Sequence, residues 1–261
     1  MSVNVLRLRE WSDPIRPVRR ELLTATPEVD EGKPPVLFVA GFGHGAWAYA
    51  EHWLEHAASR GFPAYALSLR GQSGSEADKK ATLRAYAHDV VQAAAGLPKR
   101  AVIVGHGAGA LVVSHALARY PARAAVLVAP VLGGLSPALR NLSLVLPALF
   151  GGGIRLPAGQ LFSRELPIAN SRQYARRIGR ASTRAQWQLL WGTEPEPPVG
   201  PPPMLVVGSP DDRIVSPSAL KEAARRYSGA PLLFPGMGHD MMLDARWREP
   251  IDAILDWLEK S

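Results

Sequence analysis

Cysteine is absent from the 261 residues, which excludes a disulfide framework, a thiolate metal cluster and a cysteine nucleophile. Also missing is any uninterrupted apolar run of the roughly 18 residues needed to cross a bilayer. The stretch from Ala124 to Ile154 comes nearest, with Arg140 its only charge. Pro130, Pro137, Pro147 and Gly151-Gly152-Gly153 break it, so an apolar lid is the expectation. The N-terminus, Met1 to Glu10, lacks the long apolar core of a signal peptide, and a cytoplasmic location is expected. Acidic residues are almost missing from one segment: between Leu132 and Trp191 there are eight arginines, no lysine and a single acid, Glu165. That segment carries the whole formal charge of +7, and the remainder of the chain is balanced. Charge so local argues against a nucleic-acid-coating protein and for a feature of one segment.

What is present is the composition of a globular protein, 47% hydrophobic and 20% charged, with length for one domain carrying an insertion. Short apolar runs alternate with helix-like segments. Strands are expected at Pro35–Ala40, Ala64–Leu69, Ala101–Val104, Ala124–Val128, Met204–Val207 and Pro231–Phe234. Helices are expected at Trp47–Ser59, Thr82–Ala95 with Thr82 as N-cap, Ala108–Arg119, Ser218–Tyr227 and Arg246–Glu259. Such alternation implies an α/β fold, a mostly parallel sheet with helices on both faces. Residues 10–30 are expected to hold an antiparallel edge hairpin. The alternation fails from about 131 to 195, which predicts a core in two parts, 1–130 and 196–261, with a helical cap between them. Glu194 to Pro203, rich in proline, is expected to be a stiff return linker.

In a sheet of this kind ligands sit at the carboxyl ends of the strands. The loops there are Gly41-Phe-Gly-His-Gly-Ala-Trp47, Gly105-His-Gly-Ala-Gly109, Gly208-Ser-Pro-Asp-Asp-Arg213 and Gly236-Met-Gly-His-Asp240. With Leu69-Arg-Gly-Gln-Ser-Gly-Ser75 after a strand, they come in an order that resembles the α/β-hydrolase fold with a cap, over most of the chain. In that family a G-x-S-x-G elbow lifts a serine above the sheet, and an acid and then a histidine follow. Here the nucleophile position is Gly107, which has no side chain and can form no acyl-enzyme. Ala40 in place of the histidine of an H-G pair and Ala110 in place of a frequent glycine are two further departures.

The resemblance implies that His239 is the catalytic histidine, that Asp212 orients it with Asp211 as fallback, and that the backbone N–H groups of Phe42 and Ala108 form the oxyanion hole. An Asp–His pair without a serine can still take a proton, from water or from a substrate carbon or hydroxyl. Two N–H groups stabilise an enolate or alkoxide as readily as a tetrahedral intermediate. The expected activity is therefore a non-covalent general-base enzyme of lyase, cyclase or water-mediated hydrolase type. Its substrate would be a hydrophobic, anionic or carrier-bound small carbonyl compound. Two alternatives stand beside it: a catalytically inactive pseudo-hydrolase that binds a ligand or partner, and an esterase inactivated by serine-to-glycine substitution at Gly107.

His44, Trp47, His106 and Trp187 are candidates for the pocket wall, each with a plain packing role as the alternative. His115, on the helix after the elbow, is expected to be structural. No spacing of His, Asp or Glu suggests a metal site, no cofactor is called for, and Gly41-Phe-Gly-His-Gly is not a dinucleotide fingerprint. Arg172, Arg176, Arg180 and Arg184 recur every four residues, as on one side of a helix, with Tyr174, Ile178, Ala181, Ala185 and Leu189 on another. They make either a solvated outer face or an attractor for an anion at the pocket entrance: a carboxylated substrate, a CoA-type thioester or an acidic carrier protein. A nucleic-acid partner is not expected.

Overall fold

The computed structural model describes residues 13–132, 157–191, 194–227 and 229–261. Among the described residues seven strands form one sheet: β1 (Leu22–Ala25), β2 (Val36–Val39), β3 (Ala64–Leu67), β4 (Val102–His106), β5 (Ala124–Val128), β6 (Met204–Gly208) and β7 (Leu232–Leu233). Their order is β1-β3-β2-β4-β5-β6-β7. Of these strands, β1 runs antiparallel, against β3, while the other neighbours are parallel with registers such as Val36↔Val102 and His106↔Val128. Because successive side chains in a strand point to opposite faces, the apolar strands feed two cores. Val36, Phe38, Val104 and Val126 join one core, and Leu37, Val39, Ile103 and Leu127 the other.

The first core is covered by α1 (Trp47–Ala50), α2 (Trp53–Ser59) and the last helix, Arg248–Glu259. The second lies under α3 (Leu83–Ala95), α4 (Ala108–Leu117) and the helix Pro217–Tyr227. Thr82 caps α3 as its sequence suggests, its side chain accepting from Ala85 N at 3.1 Å. Between β5 and β6, three helices are described: α5 (Ala158–Leu161), α6 (Ile168–Arg177) and α7 (Thr183–Trp191). This insertion docks on both cores, through Leu161, Phe162 and Tyr174 on one and Ala185 and Leu189 on the other. From Glu194 to Pro203 the chain runs without helix or strand into β6.

Three expectations change. The edge hairpin is, among the described residues, a single strand, β1. The helix over 47–59 is two helices, because His52 leaves the helical region (φ −145°, ψ −53°) and its ring stacks on Trp247 at 4.6 Å. The four spaced arginines do not share a helix: α6 ends at Arg177, Ile178 is extended, and Gly179 N donates to Gly43 O at 2.7 Å, leaving Arg180 between α6 and α7. Most of the apolar stretch expected to be a lid, with Arg140 and Arg155, lies outside the described residues.

Candidate active site

Parallel pairing turns the carboxyl ends of β2, β4, β6 and β7 to the same edge of the sheet, with β5 between β4 and β6, and the loops that leave them meet there. One of these turns is at Gly107, between β4 and α4. Its φ of +55° and ψ of −124° form a strained elbow that costs an L-residue about 1–3 kcal/mol and glycine little. Gly107 N donates to Val128 O at 3.0 Å, and its carbonyl accepts from Val131 N at 3.0 Å and Ala110 N at 3.1 Å. The turn is thereby held from both sides.

His239 faces this turn. A methyl group built on Gly107 would stand 3.1 Å from His239 Nε2, tight but on the line a serine would occupy. The other ring nitrogen, Nδ1, is 2.8 Å from Asp212 Oδ2, and both residues are buried. Asp212 is itself fixed, since its Oδ1 accepts from Ile214 N at 2.7 Å and Val215 N at 3.1 Å. Asp211, the fallback, turns elsewhere: its Oδ2 accepts from Gly236 N at 2.7 Å. Burial works to lower the His239 pKa, but the charge of Asp212 and its hydrogen bond, with Asp240 adding, hold it above the ordinary imidazole value. Among the described residues, neither Phe42 N nor Ala108 N donates to a protein acceptor, and Ala108 N opens the N-terminal turn of α4.

Sequence spacing missed a second set of ionisable groups behind His239. Asp240 is fully buried, and its Oδ2 accepts from His44 Nε2 at 2.9 Å. His106 Nε2 donates to the His239 carbonyl at 3.1 Å and lies 3.5 Å from Asp240 Oδ1. Burial above all, then the neighbouring His239, pushes the His106 pKa down to about 3, so this ring is neutral at physiological pH. Burial opposes ionisation of Asp240, yet His44, His106 and His239 together hold its carboxyl below the ordinary aspartate value. The only hint in the sequence was the acid directly after the matched histidine. His106, His239 and Asp240 each offer a ligand atom within 4.8 Å of the others, a grouping able to hold a metal ion that linear spacing did not suggest. In the present arrangement Asp212 engages His239 Nδ1, His44 engages Asp240 Oδ2 and the His239 carbonyl engages His106 Nε2, while Asp240 Oδ1 has no hydrogen-bond partner among the described residues.

The remaining candidates divide. Trp47 is buried beside His44, their rings 6.3 Å apart, and the Arg177 guanidinium lies 4.1 Å over it. Trp187 is half-buried on α7, and its described ring partner is Trp191, at 6.4 Å, not a member of the histidine cluster. His115, on α4, stands apart from the cluster, its pKa lowered by burial and then by Arg119. The insertion touches the site loops directly. Leu161 O accepts from Asp240 N at 2.9 Å, and Asp244 links Gly238 N at 2.7 Å with Ser163 N at 3.0 Å. At Gly43 the approach is so close that a methyl group would lie 2.9 Å from Gly179 O, which glycine alone permits. Gln72 Oε1 supports the same loop by accepting from Gly43 N at 2.6 Å.

A model of the alpha/beta hydrolase family matches residues 36–255. A protein of Oryza sativa subsp. indica named "Probable esterase PIR7A" is 33% identical over 103 residues, which is 38% of this chain and 39% of that protein. The match therefore spans about two-fifths of the curated relative's length. Among solved structures, a thermophilic esterase from Thermogutta terrifontis superposes with a TM-score of 0.70 at 20% identity, over 93% of this chain and 94% of that one. An esterase from Exiguobacterium antarcticum gives 0.73 at 13% identity, over 93% and 96%. At such identities the likeness is one of fold.

Proposed function

The chain belongs to the alpha/beta hydrolase family, and from that premise we propose that it is an enzyme working by general-base catalysis through His239 and Asp212, without an acyl-enzyme. The observation that carries this is the aim of His239: Nδ1 is held by Asp212 at 2.8 Å, and Nε2 faces the side-chain position of Gly107 at 3.1 Å. In that orientation Nε2 takes a proton from a water, a hydroxyl or a carbon acid seated where the missing hydroxymethyl would be. In the hydrolytic form, water oxygen bonds to the carbonyl carbon as its proton passes to Nε2, and the charge that develops on the carbonyl oxygen is met by Phe42 N–H and Ala108 N–H. Collapse then expels the leaving group, which recovers the proton from the imidazolium. In the lyase or cyclase form, the same N–H groups meet an enolate or alkoxide instead.

The inserted segment acts as the cap, with the core divided into 1–130 and 196–261 around the cap at 131–195. Its exposed arginines suit a carboxylated substrate, a CoA-type thioester or an acidic carrier protein. The test is turnover of a panel of small carbonyl compounds and their thioesters by wild type and by His239→Ala. Loss of about 10²–10⁴-fold in rate is expected. Equal turnover by both proteins would remove His239 from the reaction, and binding without turnover by either would favour the ligand-binding pseudo-hydrolase.

A further inference from the structure

The insertion meets the His239 loop at a carboxylate that the proposed reaction does not use. After His239 the chain turns through a short 3₁₀ helix, Met241–Leu243, closed by Leu243 N donating to Asp240 O at 2.9 Å. That turn carries Asp244 back onto Gly238, the residue before His239. Asp244 Oδ2 accepts from Gly238 N at 2.7 Å and from Ser163 N at 3.0 Å. Its Oδ1 accepts from Ala245 N at 2.7 Å and from Ser163 Oγ at 2.5 Å. A carboxylate has about four lone-pair sites, and here protein donors fill them. The residue is only 2% exposed, so little water could replace a donor that left. Around the carboxylate the two segments touch with no room to spare. Asp240 N donates to Leu161 O at 2.9 Å, and a methyl group on Gly238 would stand 2.5 Å from that same oxygen.

We propose that Asp244 is a positioning residue: its carboxylate ties Ser163 of the insertion to Gly238, and so makes the docked insertion part of what holds His239 against Gly107. The backbone amides on either side of His239 are both spent on this contact, Gly238 N on Asp244 and Asp240 N on Leu161 O. They fix the His239 backbone from two sides, and Asp212, from another loop, then fixes the rotation of the ring through Nδ1. The bonds that close the turn itself, Met241 N to His239 O at 3.0 Å and Leu243 N to Asp240 O, do not reach the insertion. Closing the turn therefore does not call for Asp244. The chemistry of the acceptor points the same way. Each Asp244 oxygen takes two donors, so an asparagine of the same shape must turn its NH₂ toward two N–H or O–H groups whichever way it is flipped. Only the carboxylate serves both segments at once.

This inference deepens the proposed function and rests on it only for its consequence in rate. The test follows amide hydrogen exchange in the full chain at Ser163, Gly238 and Asp240, with Val104 and Leu127 in the sheet as references, and needs no substrate. In Asp244→Asn, exchange at all three should rise about tenfold or more, as when a hydrogen bond to a charged group is lost, while the two strand amides keep their rates. A rise at Gly238 alone would separate the loop from the insertion, and an equal rise in the strands would mark a general loss of stability; either overturns the assignment. A second signal reads the ring: the low-field proton resonance of His239 Nδ1–H, identified by its absence in His239→Gln. It should broaden in Asp244→Asn, because a ring no longer held against Asp212 exchanges its proton with water. An unchanged sharp resonance in folded Asp244→Asn reduces Asp244 to a structural tie and overturns the assignment as well. Should Asp244→Asn fail to fold, Ser163→Ala removes one donor from the insertion side only. Exchange at Gly238 should still rise several-fold, and an unchanged rate there overturns the coupling. If His239 proves catalytic, kcat in Asp244→Asn falls by about tenfold for a small substrate while KM holds. Turnover independent of His239 would remove the proposed function and leave the role of Asp244 standing.

Discussion

The site loops and the insertion beside them hold charged side chains under opposite conditions. In the loops, Asp212, Asp240, His239, His44 and His106 are buried, and each lies within 3.5 Å of a polar partner. In the insertion, Arg172, Arg176, Arg180 and Arg184 are exposed and, among the described residues, make no ion pair. The exception there is Arg177, which reaches Glu51 at 3.2 Å and covers Trp47. A buried charge persists only where partners replace its water, so the loops record which groups the fold holds to a fixed geometry. An exposed charge is satisfied by solvent and remains available to whatever anion approaches. The first region specifies a geometry; the second specifies only a sign.

The largest test of this contrast is Gly107→Ser. If the buried geometry is that of a hydrolase lacking only its nucleophile, the new hydroxyl meets His239 and a covalent acyl-enzyme becomes possible. Ester hydrolysis should rise by about 10³-fold or more, given that the serine is worth about 10⁶ in subtilisin. The cost is a positive φ of +55° and a contact of 3.1 Å that His239 must relax. Mass spectrometry with an activated ester reads the acyl adduct. Absence of an adduct in a folded variant would mean that the site has departed from esterase geometry further than the elbow shows.

Next in size is a buried pair away from the site. Arg70 and Asp89 are almost fully buried and share two side-chain hydrogen bonds, Nε to Oδ2 at 2.8 Å and Nη2 to Oδ1 at 2.7 Å, beside one from Arg70 N to Oδ2 at 3.3 Å. Asp89→Ala leaves a buried guanidinium without its main partner and should cost about 3–5 kcal/mol in denaturant unfolding. A loss below about 1 kcal/mol would show that water reaches this pair.

His106→Gln probes the same burial through pH. The pKa of His106 drops from 6.5 to about 3 on folding, so the unfolded chain takes a proton that the native ring refuses. Stability therefore falls as pH drops from about 6.5 toward 3, by about 1.4 kcal/mol per unit. The glutamine variant should lack that contribution and show a shallower acid slope in thermal or denaturant unfolding. His239 works in the other window: its folded pKa is raised, so its contribution is present below the unfolded value and lost as pH rises through the folded one. Parallel acid slopes in wild type and variant would contradict the burial of a neutral His106.

The sequence made the sheet and the Thr82 cap legible, because each is local, an apolar run and a hydroxyl before a helix; the His239–Asp212 pairing was implied by the resemblance to the α/β-hydrolase fold, and the structure joins the two at 2.8 Å. The sequence could not make Asp240 legible as a partner of His44 and His106, since those residues lie 196 positions and more than 130 positions away. Only the strand order, with β2 beside β4, brings them together. Nor could it show that Gly179 would dock on Gly43 and end the arginine helix early. Both misses are tertiary contacts that override a local period.

The smallest effect on the fold, and the one that decides what the insertion is for, is reversal of charge on α6. Arg172 and Arg176 lie four residues apart on the exposed side of that helix, while Tyr174 is buried beneath it. Neither has an ion-pair partner among the described residues, so Arg172→Glu with Arg176→Glu should move the unfolding midpoint by no more than about 0.5 kcal/mol. Binding is where the change should register. Calorimetry of a CoA thioester or an acidic carrier protein at low ionic strength should show weaker affinity in the double variant. Added salt should erase the difference, because exposed charges farther apart than about 8–10 Å are screened at physiological ionic strength. If affinity is the same in both proteins at low salt, the arginine face is solvated surface. The anion-binding role would then pass to the loops, to the Phe42 N–H and Ala108 N–H groups proposed as the oxyanion hole.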